Sequence, residues 1–177
     1  MLELASGNDA ALDMIIIRYH KPLFGYLYRL TLDEKVAEDL VQETFVAIYQ
    51  QGQQGIVPQR FKPWLYKIAT NACKDYWKKA SFRKESLQAP PREQTSQVAN
   101  LIERQVERQW MIDALNQLPI MYRTVLYLRF YQDLKYSEIA SVVDLPINTI
   151  KTQVGRGLKK LECILREEDI RAEVGRR

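Results

Sequence analysis

The chain has 177 residues, a length that allows one large domain or two small ones. Its 46% hydrophobic and 27% charged content is ordinary for a folded protein, and two Cys are too few for a disulfide framework. With a single His and no Walker, dinucleotide-binding or zinc-hydrolase motif, the sequence predicts no enzyme, no cofactor, no metal site and no small-molecule substrate.

The start of the chain lacks the basic stretch and cleavage site of a signal peptide, and the apolar run 14–17 is too short to cross a bilayer. Because the Cys content also fits a reducing compartment, we expect a cytoplasmic protein with no direct membrane insertion.

Charge is unevenly distributed along the chain, although its net value is only +4. Residues 60–84 contain eight basic side chains and one acidic side chain, a local charge of +7. Residues 33–43 contain five acidic side chains and one Lys, a local charge of −4. The basic segment suggests a polyanionic partner, whereas the acidic segment requires a separate explanation.

Apolar residues recur every three or four positions through most of the chain, and this helical period predicts an all-α protein. Asn8 or Asp9 can cap a first helix that runs to about Tyr19. Pro22 is expected to break that helix or to open a second one, which ends near Leu30.

A short turn at residues 31–33 precedes a clearly amphipathic helix, and residues 50–59 are predicted to form the loop after it. One side of this helix is acidic. The other side is an apolar stripe of Val36, Ala37, Leu40, Val41, Thr44, Phe45 and Ile48.

From Arg60 onwards the sequence predicts another amphipathic helix, and its Cys73, like Cys163 later in the chain, lies in an apolar pattern that predicts burial. Its core face comprises Phe61, Trp64, Leu65, Ile68, Ala69, Ala72, Cys73 and Tyr76. Polar residues at steps of four, three and four align along one exposed stripe, which consists of Lys67, Asn71, Lys74 and Lys78.

Residues 83–100 are poor in apolar side chains and contain Pro90-Pro91, which predicts a flexible linker. The linker would join two small helical domains, residues 1–82 and 101–177. Helical periodicity returns after the linker, with helices predicted from about residue 101, from Pro119 to Phe130, over 136–143 and over 148–165.

The last two of these helices have the features of a helix-turn-helix. Ile139 and Val143 are expected to face the core, and Asp144 occupies the turn, where a left-handed backbone is needed and Asp is tolerated. Leu145 is expected to fill the core, and Pro146 prevents the first helix from continuing.

The second helix of this motif would be capped by Asn148 or Thr149 and buried through Ile150, Val154, Leu158, Leu161 and Leu165. Basic and polar side chains occupy its outer face, where they suit the major groove of DNA and Gly155 would allow close approach. The candidate contacts are Asn148, Thr149, Lys151, Thr152, Gln153, Arg156 and Lys159. An ordinary helical hairpin with a solvated basic face is the alternative at this point.

Residues 37–45, residues 61–75 and the helix-turn-helix resemble, in this order, three segments of the extracytoplasmic-function sigma factors, a group within the sigma-70 family of bacterial RNA polymerase. The first is similar to the region-two helix that docks on the polymerase clamp, and the second to the promoter-melting helix. The third is similar to region four. The resemblance spans residues 7–165 and implies a sigma factor that binds core RNA polymerase and promoter DNA and is sequestered by an anti-sigma factor.

The same resemblance assigns roles to individual residues, with the helix-turn-helix reading the minus-thirty-five element. Contact with core polymerase is implied for Asp39, Gln42 and Glu43; a solvated acidic face is the alternative. Contact with unpaired minus-ten DNA is implied for Gln53, Gln54, Lys67, Asn71, Lys74, Lys78 and Lys79, with the two Gln side chains bonding to a splayed base.

Two other functions are compatible with parts of the sequence. A stand-alone helix-turn-helix regulator would bind duplex DNA as a dimer, but it gives the basic 60–84 segment no role. A helical adaptor for proteins would show no salt-dependent affinity for DNA.

Overall fold

The computed structural model describes residues 1–6, 8, 10–84 and 104–174, with side chains up to residue 80 and from 111 to 167. These residues form eight α-helices and no strand, which confirms the all-α prediction. The helices are α1 (Leu2–Ala5), α2 (Ala10–Thr31), α3 (Glu34–Gln53), α4 (Phe61–Lys84), α5 (Arg104–Gln117), α6 (Ile120–Phe130), α7 (Tyr136–Val143) and α8 (Ile147–Val174).

The helices form two groups, α1–α4 and α5–α8, as expected for two small helical domains. Because α4 ends at Lys84 and α5 begins at Arg104, residues 85–100 of the predicted linker lie outside the described residues. Asp9, one of the two predicted caps of the first long helix, also lies outside them.

Helix α2 passes through Pro22 without a break, so the prediction of a helix boundary there was wrong. Proline in a helix interior removes one backbone hydrogen bond and costs about 3 kcal/mol. Pro22 and Arg18, whose carbonyl loses that bond, both lie on the solvent side, where water can replace it. On the opposite side Leu23 and Leu27 are fully buried, and this burial offsets the local cost.

The acidic helix α3 begins at a side-chain cap, because Asp33 Oδ1 accepts a hydrogen bond from the Val36 amide at 3.0 Å. The predicted apolar stripe is confirmed, with Val36 half-buried and the other six residues buried. The helix continues into the predicted loop as far as Gln53. It does so with Gly52 packed under Leu4 of α1, where a Cβ atom would come within 2.6 Å of Leu4 Cδ2.

The predicted core face of α4 is confirmed, but two polar residues that were not predicted are also buried in it. Leu65, Ala69 and Cys73 are buried. The sequence did not predict the buried Tyr66 and Thr70, because the helical period does not show that Tyr26 of α2 lies opposite them. Tyr26 Oη lies 2.7 Å from Thr70 Oγ1, and its ring packs edge-on against the ring of Tyr66.

Trp64 is half-buried against Phe61, as predicted for a tryptophan in the apolar stripe. Cys163, in contrast, is exposed, so the prediction that both thiols are buried was wrong for this one. It lies in the last part of α8, where even the apolar side chains Ile164 and Leu165 are only half-buried.

A buried arginine organises the second group of helices. Arg123 of α6 is 8% exposed and donates to the carbonyl oxygens of Asn116 and Leu118 at the end of α5. These carbonyls belong to the last turn and the residue after it, where helix backbone acceptors lack intrahelical partners. Desolvation lowers the pKa of the guanidinium without removing its role as a donor.

The two groups of helices also pack against each other, α2 against α6 and α4 against α7. In the first contact the rings of Tyr26 and Tyr127 lie 5.6 Å apart, and Arg29 stacks over the ring of Tyr127. Arg123 donates from Nη1 to the carbonyl of Arg29 at 2.7 Å, so the same arginine joins both groups.

Candidate nucleic-acid interface

The turn between α7 and α8 has the predicted left-handed conformation. Asp144 has φ 60° and ψ 47°, and the following amide of Leu145 donates to the carbonyl of Ala140. Such a residue ends the first helix and redirects the chain into the second. Ile139 is fully buried and Val143 packs half-buried against the core, as predicted.

Leu145 is 38% exposed, so the prediction that it fills the core was wrong. The left-handed turn carries its side chain away from the core. Val142 and Ile150, both fully buried, occupy the corner between the two helices instead.

The outer face of α8 presents most of the predicted DNA contacts. Exposed side chains are Asn148, Lys151, Thr152, Arg156 and Lys159, and Thr149 is half-buried. Because α8 begins at Ile147, Asn148 and Thr149 lie inside the first turn, and the prediction that one of them is the cap was wrong. Gln153 is only 8% exposed, on the same face as Ile150 and Val154.

The inner face of α8 differs from the prediction at one position. Leu158 is 43% exposed, so its assignment to the core was wrong. Gly157 takes the buried position next to it, where a Cβ atom would come within 3.2 Å of Leu126 Cδ1 and Tyr122 Cβ. The missing side chain therefore lets α6 and α8 cross closely. Gly155 faces open space, as expected for a groove-facing glycine.

The polar stripe of α4 is only partly exposed. Asn71, Lys78 and Lys79 are exposed, with Lys78 Nζ 3.3 Å from Asp75 Oδ1. Lys67 and Lys74 are half-buried, because α7 lies against this part of α4.

Gln53 and Gln54 are both exposed at the end of α3, beside Gly55, which has φ 77°. Their amide groups face solvent in the segment that leads into α4. The position is compatible with a hydrogen bond to an unstacked base.

The predicted polymerase contacts lie together on α3. Asp39, Gln42 and Glu43 are exposed. Asp39 and Glu43 line a groove of about 130 Å³ between α3 and α4, which Asp75 and Lys79 of α4 also line.

Two carboxylates, Glu138 in α7 and Asp144 directly after it, have lowered pKa values. The backbone amide of Lys135, followed by Arg60, lowers the pKa of Glu138 below 4.5. A hydrogen bond from Lys67 lowers the pKa of Asp144 below 3.8. Both carboxylates are therefore charged at neutral pH. Glu138 faces Arg60, the residue before α4, and Asp144 faces Lys67 of α4.

Within the described ranges, His, Cys, Asp and Glu nowhere cluster in a way that could hold a metal ion. In the same ranges, every helix is too short or too polar to cross a membrane.

Comparisons with known proteins match both groups of helices. The Sigma-70 region 2 model matches residues 15–83, and the Sigma-70, region 4 model matches residues 108–161. RNA polymerase sigma factor SigV of Bacillus subtilis is 30% identical over 90% of this chain and 95% of its own. ECF RNA polymerase sigma factor SigW of the same organism is 29% identical over 93% and 94%.

A solved structure shows the same fold. The sigma factor RpoE of Bartonella quintana, in complex with the anti-sigma factor NepR, matches with a TM-score of 0.66. The match covers 87% of this chain and 96% of that chain at 21% identity.

Proposed function

Because the chain belongs to the extracytoplasmic-function group of the sigma-70 family, whose members direct core RNA polymerase to promoters, we propose that its two groups of helices divide this task. The observation that carries the proposal is the exposed basic face of α8 directly after the left-handed turn at Asp144. In the region 4 segment, this face reads duplex DNA of the minus-thirty-five element.

On α8, Arg156 and Lys151 can reach guanine edges or phosphates, and Thr152 can contact a base edge. Gln153 lies on the buried side of the helix in this conformation, so Arg156 is the stronger candidate for direct base recognition.

The region 2 segment captures unpaired minus-ten DNA along α4. Asn71 supplies an amide for base contacts, and Lys67, Lys74, Lys78 and Lys79 supply positive charge for phosphates. Gln53 and Gln54 bond to an extruded base, which offsets an unstacking cost of a few kcal/mol. Strand opening is therefore driven by binding rather than by bond chemistry, and the protein itself is not an enzyme.

The acidic face of α3 meets core polymerase through Asp39, Gln42 and Glu43. Exposed carboxylates next to a groove suit a basic partner surface. An anti-sigma protein is a further partner, supported by the shared fold with the RpoE structure. The chain acts in the cytoplasm, where polymerase and promoters are found.

The first test is run-off transcription with core polymerase on genomic templates. The second compares the Arg156→Ala variant with the unchanged protein on two templates, one with and one without the upstream element. The alanine variant should lose about ten-fold or more of its activity on the complete template, because a bidentate base contact contributes about 1–3 kcal/mol. Arg166→Ala is the matched control on the same helix, since Arg166 pairs with Glu162 instead. An equal loss on both templates would refute the assignment of Arg156.

A further inference from the structure

The end of α3 is packed under one side chain of the short helix α1. Leu4 is the single buried residue of this four-residue helix, and it is fully buried. It lies directly over Gly52, because a Cβ atom there would come within 2.6 Å of Leu4 Cδ2 and 2.8 Å of Leu4 Cγ. The absence of a side chain at Gly52 therefore makes room for Leu4.

This contact extends the buried face of α3 by one turn. The apolar stripe of α3 ends at Ile48, and Gly52 is the next position on the same face, four residues later. Glycine is a poor helix former and has no side chain to bury, so the last turn obtains its packing from Leu4. Without Leu4 we expect residues 50–53 to open locally, as helix ends with few apolar contacts do.

The turn after α3 is a Schellman motif that includes the same glycine. Gly55 has φ 77°, and its amide donates to the carbonyl of Gly52 at 2.9 Å. The Ile56 amide donates to the carbonyl of Gln51 at 2.9 Å. These are the two hydrogen bonds of the motif, in which the residue with positive φ ends the helix. They enclose residues 53 and 54 and fix the backbone there.

We propose that α1 positions the end of α3 for capture of the minus-ten base, with Leu4 holding Gln53 and Gln54 in place through Gly52. This inference rests on the proposed contact of the two glutamines with an extruded base. Both side chains are exposed and lose conformational freedom when they bind. A backbone that is already fixed lowers this cost, because only side-chain torsions remain to be ordered. Leu4 is a positioning residue, since it is buried and acts through the backbone of α3.

The test uses holoenzyme, reconstituted from core polymerase and the full chain, on a promoter identified by run-off transcription. A fluorescent adenine analogue, 2-aminopurine, replaces one base at a time in the non-template minus-ten strand, where it brightens when it leaves the stack. The measured quantity is the apparent dissociation constant for the fragment with the extruded base. Leu4→Ala should raise it about two- to ten-fold, the effect of weakening one or two hydrogen bonds.

Leu27→Ala is the matched control, because Leu27 is also fully buried and loses the same atoms. The helices α2 and α3 are antiparallel, since only residues 32 and 33 join them and the ring of His20 stacks on Phe45. Leu27 and Gly52 lie seven residues from that contact in opposite directions, roughly 20 Å apart along the helices. The control should lower stability and leave the dissociation constant unchanged.

Two double variants test whether Leu4 acts through the glutamines. In a Gln53→Ala/Gln54→Ala background, Leu4→Ala should cause no further loss of affinity. Gly52→Ala alone should weaken binding, because its methyl group displaces Leu4, whereas Leu4→Ala/Gly52→Ala should recover part of the affinity by refilling the space. Additive losses for Leu4 and the glutamines, or equal losses in Leu4→Ala and the control, would overturn the proposal.

Hydrogen exchange separates this inference from the proposed function, because it needs no DNA. The amides of Gly55 and Ile56 report the two bonds of the Schellman motif. Their exchange should be about ten-fold or more faster in Leu4→Ala than in Leu27→Ala. Equal exchange in the two variants would overturn the positioning role whatever the DNA result. If exchange accelerates while the glutamine double variant retains full base extrusion, α1 still positions the end of α3, and the contact of the glutamines with the base is refuted.

Discussion

The two glycines of α8 have the same intrinsic helix propensity but opposite surroundings. Gly155 faces open space, whereas a Cβ atom at Gly157 would come within 3.2 Å of Leu126 Cδ1 and Tyr122 Cβ. The Leu126 methyl group can move, but the Tyr122 Cβ is fixed by the backbone of α6.

Gly155→Ala should therefore stabilise the protein by about 0.5–1 kcal/mol, the difference in helix propensity. Gly157→Ala should gain clearly less than this, or lose stability, because the new methyl group pushes α6 and α8 apart. Urea unfolding of both variants measures the difference. If the two variants had equal free energies of unfolding, the close crossing at Gly157 would be contradicted.

The glycine pair also shows what single residues of this sequence allow one to predict. Periodicity placed Gly155 on the outer face correctly, since orientation depends only on residue spacing. It placed Leu158 in the core wrongly, because depth of burial depends on how close the neighbouring helix comes. The residues around Leu158 do not by themselves determine the distance between the two helices.

At the scale of one element, α7 is held by two contacts of Glu138, one with the start of the helix itself and one with Arg60. Its Oε2 accepts the Lys135 amide at 2.8 Å, which caps the helix, and its Oε1 binds Arg60 across the interface. Both interactions favour the charged carboxylate, which is why its pKa lies below 4.5.

A lowered pKa means that the stabilisation is complete above the unfolded-state value of about 4.5 and is lost as the pH falls through the folded-state value. Glu138→Gln should therefore lower the free energy of unfolding by about 0.5–1 kcal/mol at pH 7 and by almost nothing near pH 3. Urea midpoints at the two pH values measure this.

Glu162→Gln is the control for this experiment, because its pair with Arg166 is exposed on both sides and should contribute only a few tenths of a kcal/mol. A loss at Glu138→Gln that is equally large at both pH values would show that shape rather than charge matters at this position.

Element boundaries followed the sequence where local chemistry decides them. Asp33 caps α3, and the left-handed Asp144 ends α7 at Val143. A predicted boundary was wrong where tertiary packing determines the structure. Pro22 lies inside α2, because the buried face on the opposite side of that helix continues past it.

For the whole molecule, the sequence predicted two helical groups and their order, but not their contact. The pairs Arg60–Glu138 and Lys67–Asp144 join residues 78 and 77 positions apart. The local charge of +7 suggested a polyanionic partner for the basic segment, and the family resemblance implied core polymerase as the partner of the acidic segment. Periodicity describes one helix at a time and carries no information on which helix lies opposite.

The contact with polymerase also belongs to the whole molecule, and it depends on the exposed acidic face of α3. Asp39 is exposed and lines the α3–α4 groove together with Glu43. Asp39→Arg should weaken binding of core polymerase about ten-fold or more, since it places like charge against a basic surface, while the circular dichroism and unfolding midpoint stay unchanged.

Glu38→Arg makes the same charge change on an exposed neighbour of the same helix that does not line the groove. It should reduce polymerase affinity much less, because only long-range electrostatics are altered. Titration of labelled protein with core polymerase measures both variants. Equal affinities for the two would mean that the net charge of α3, and not the groove beside Asp39, is what the polymerase recognises.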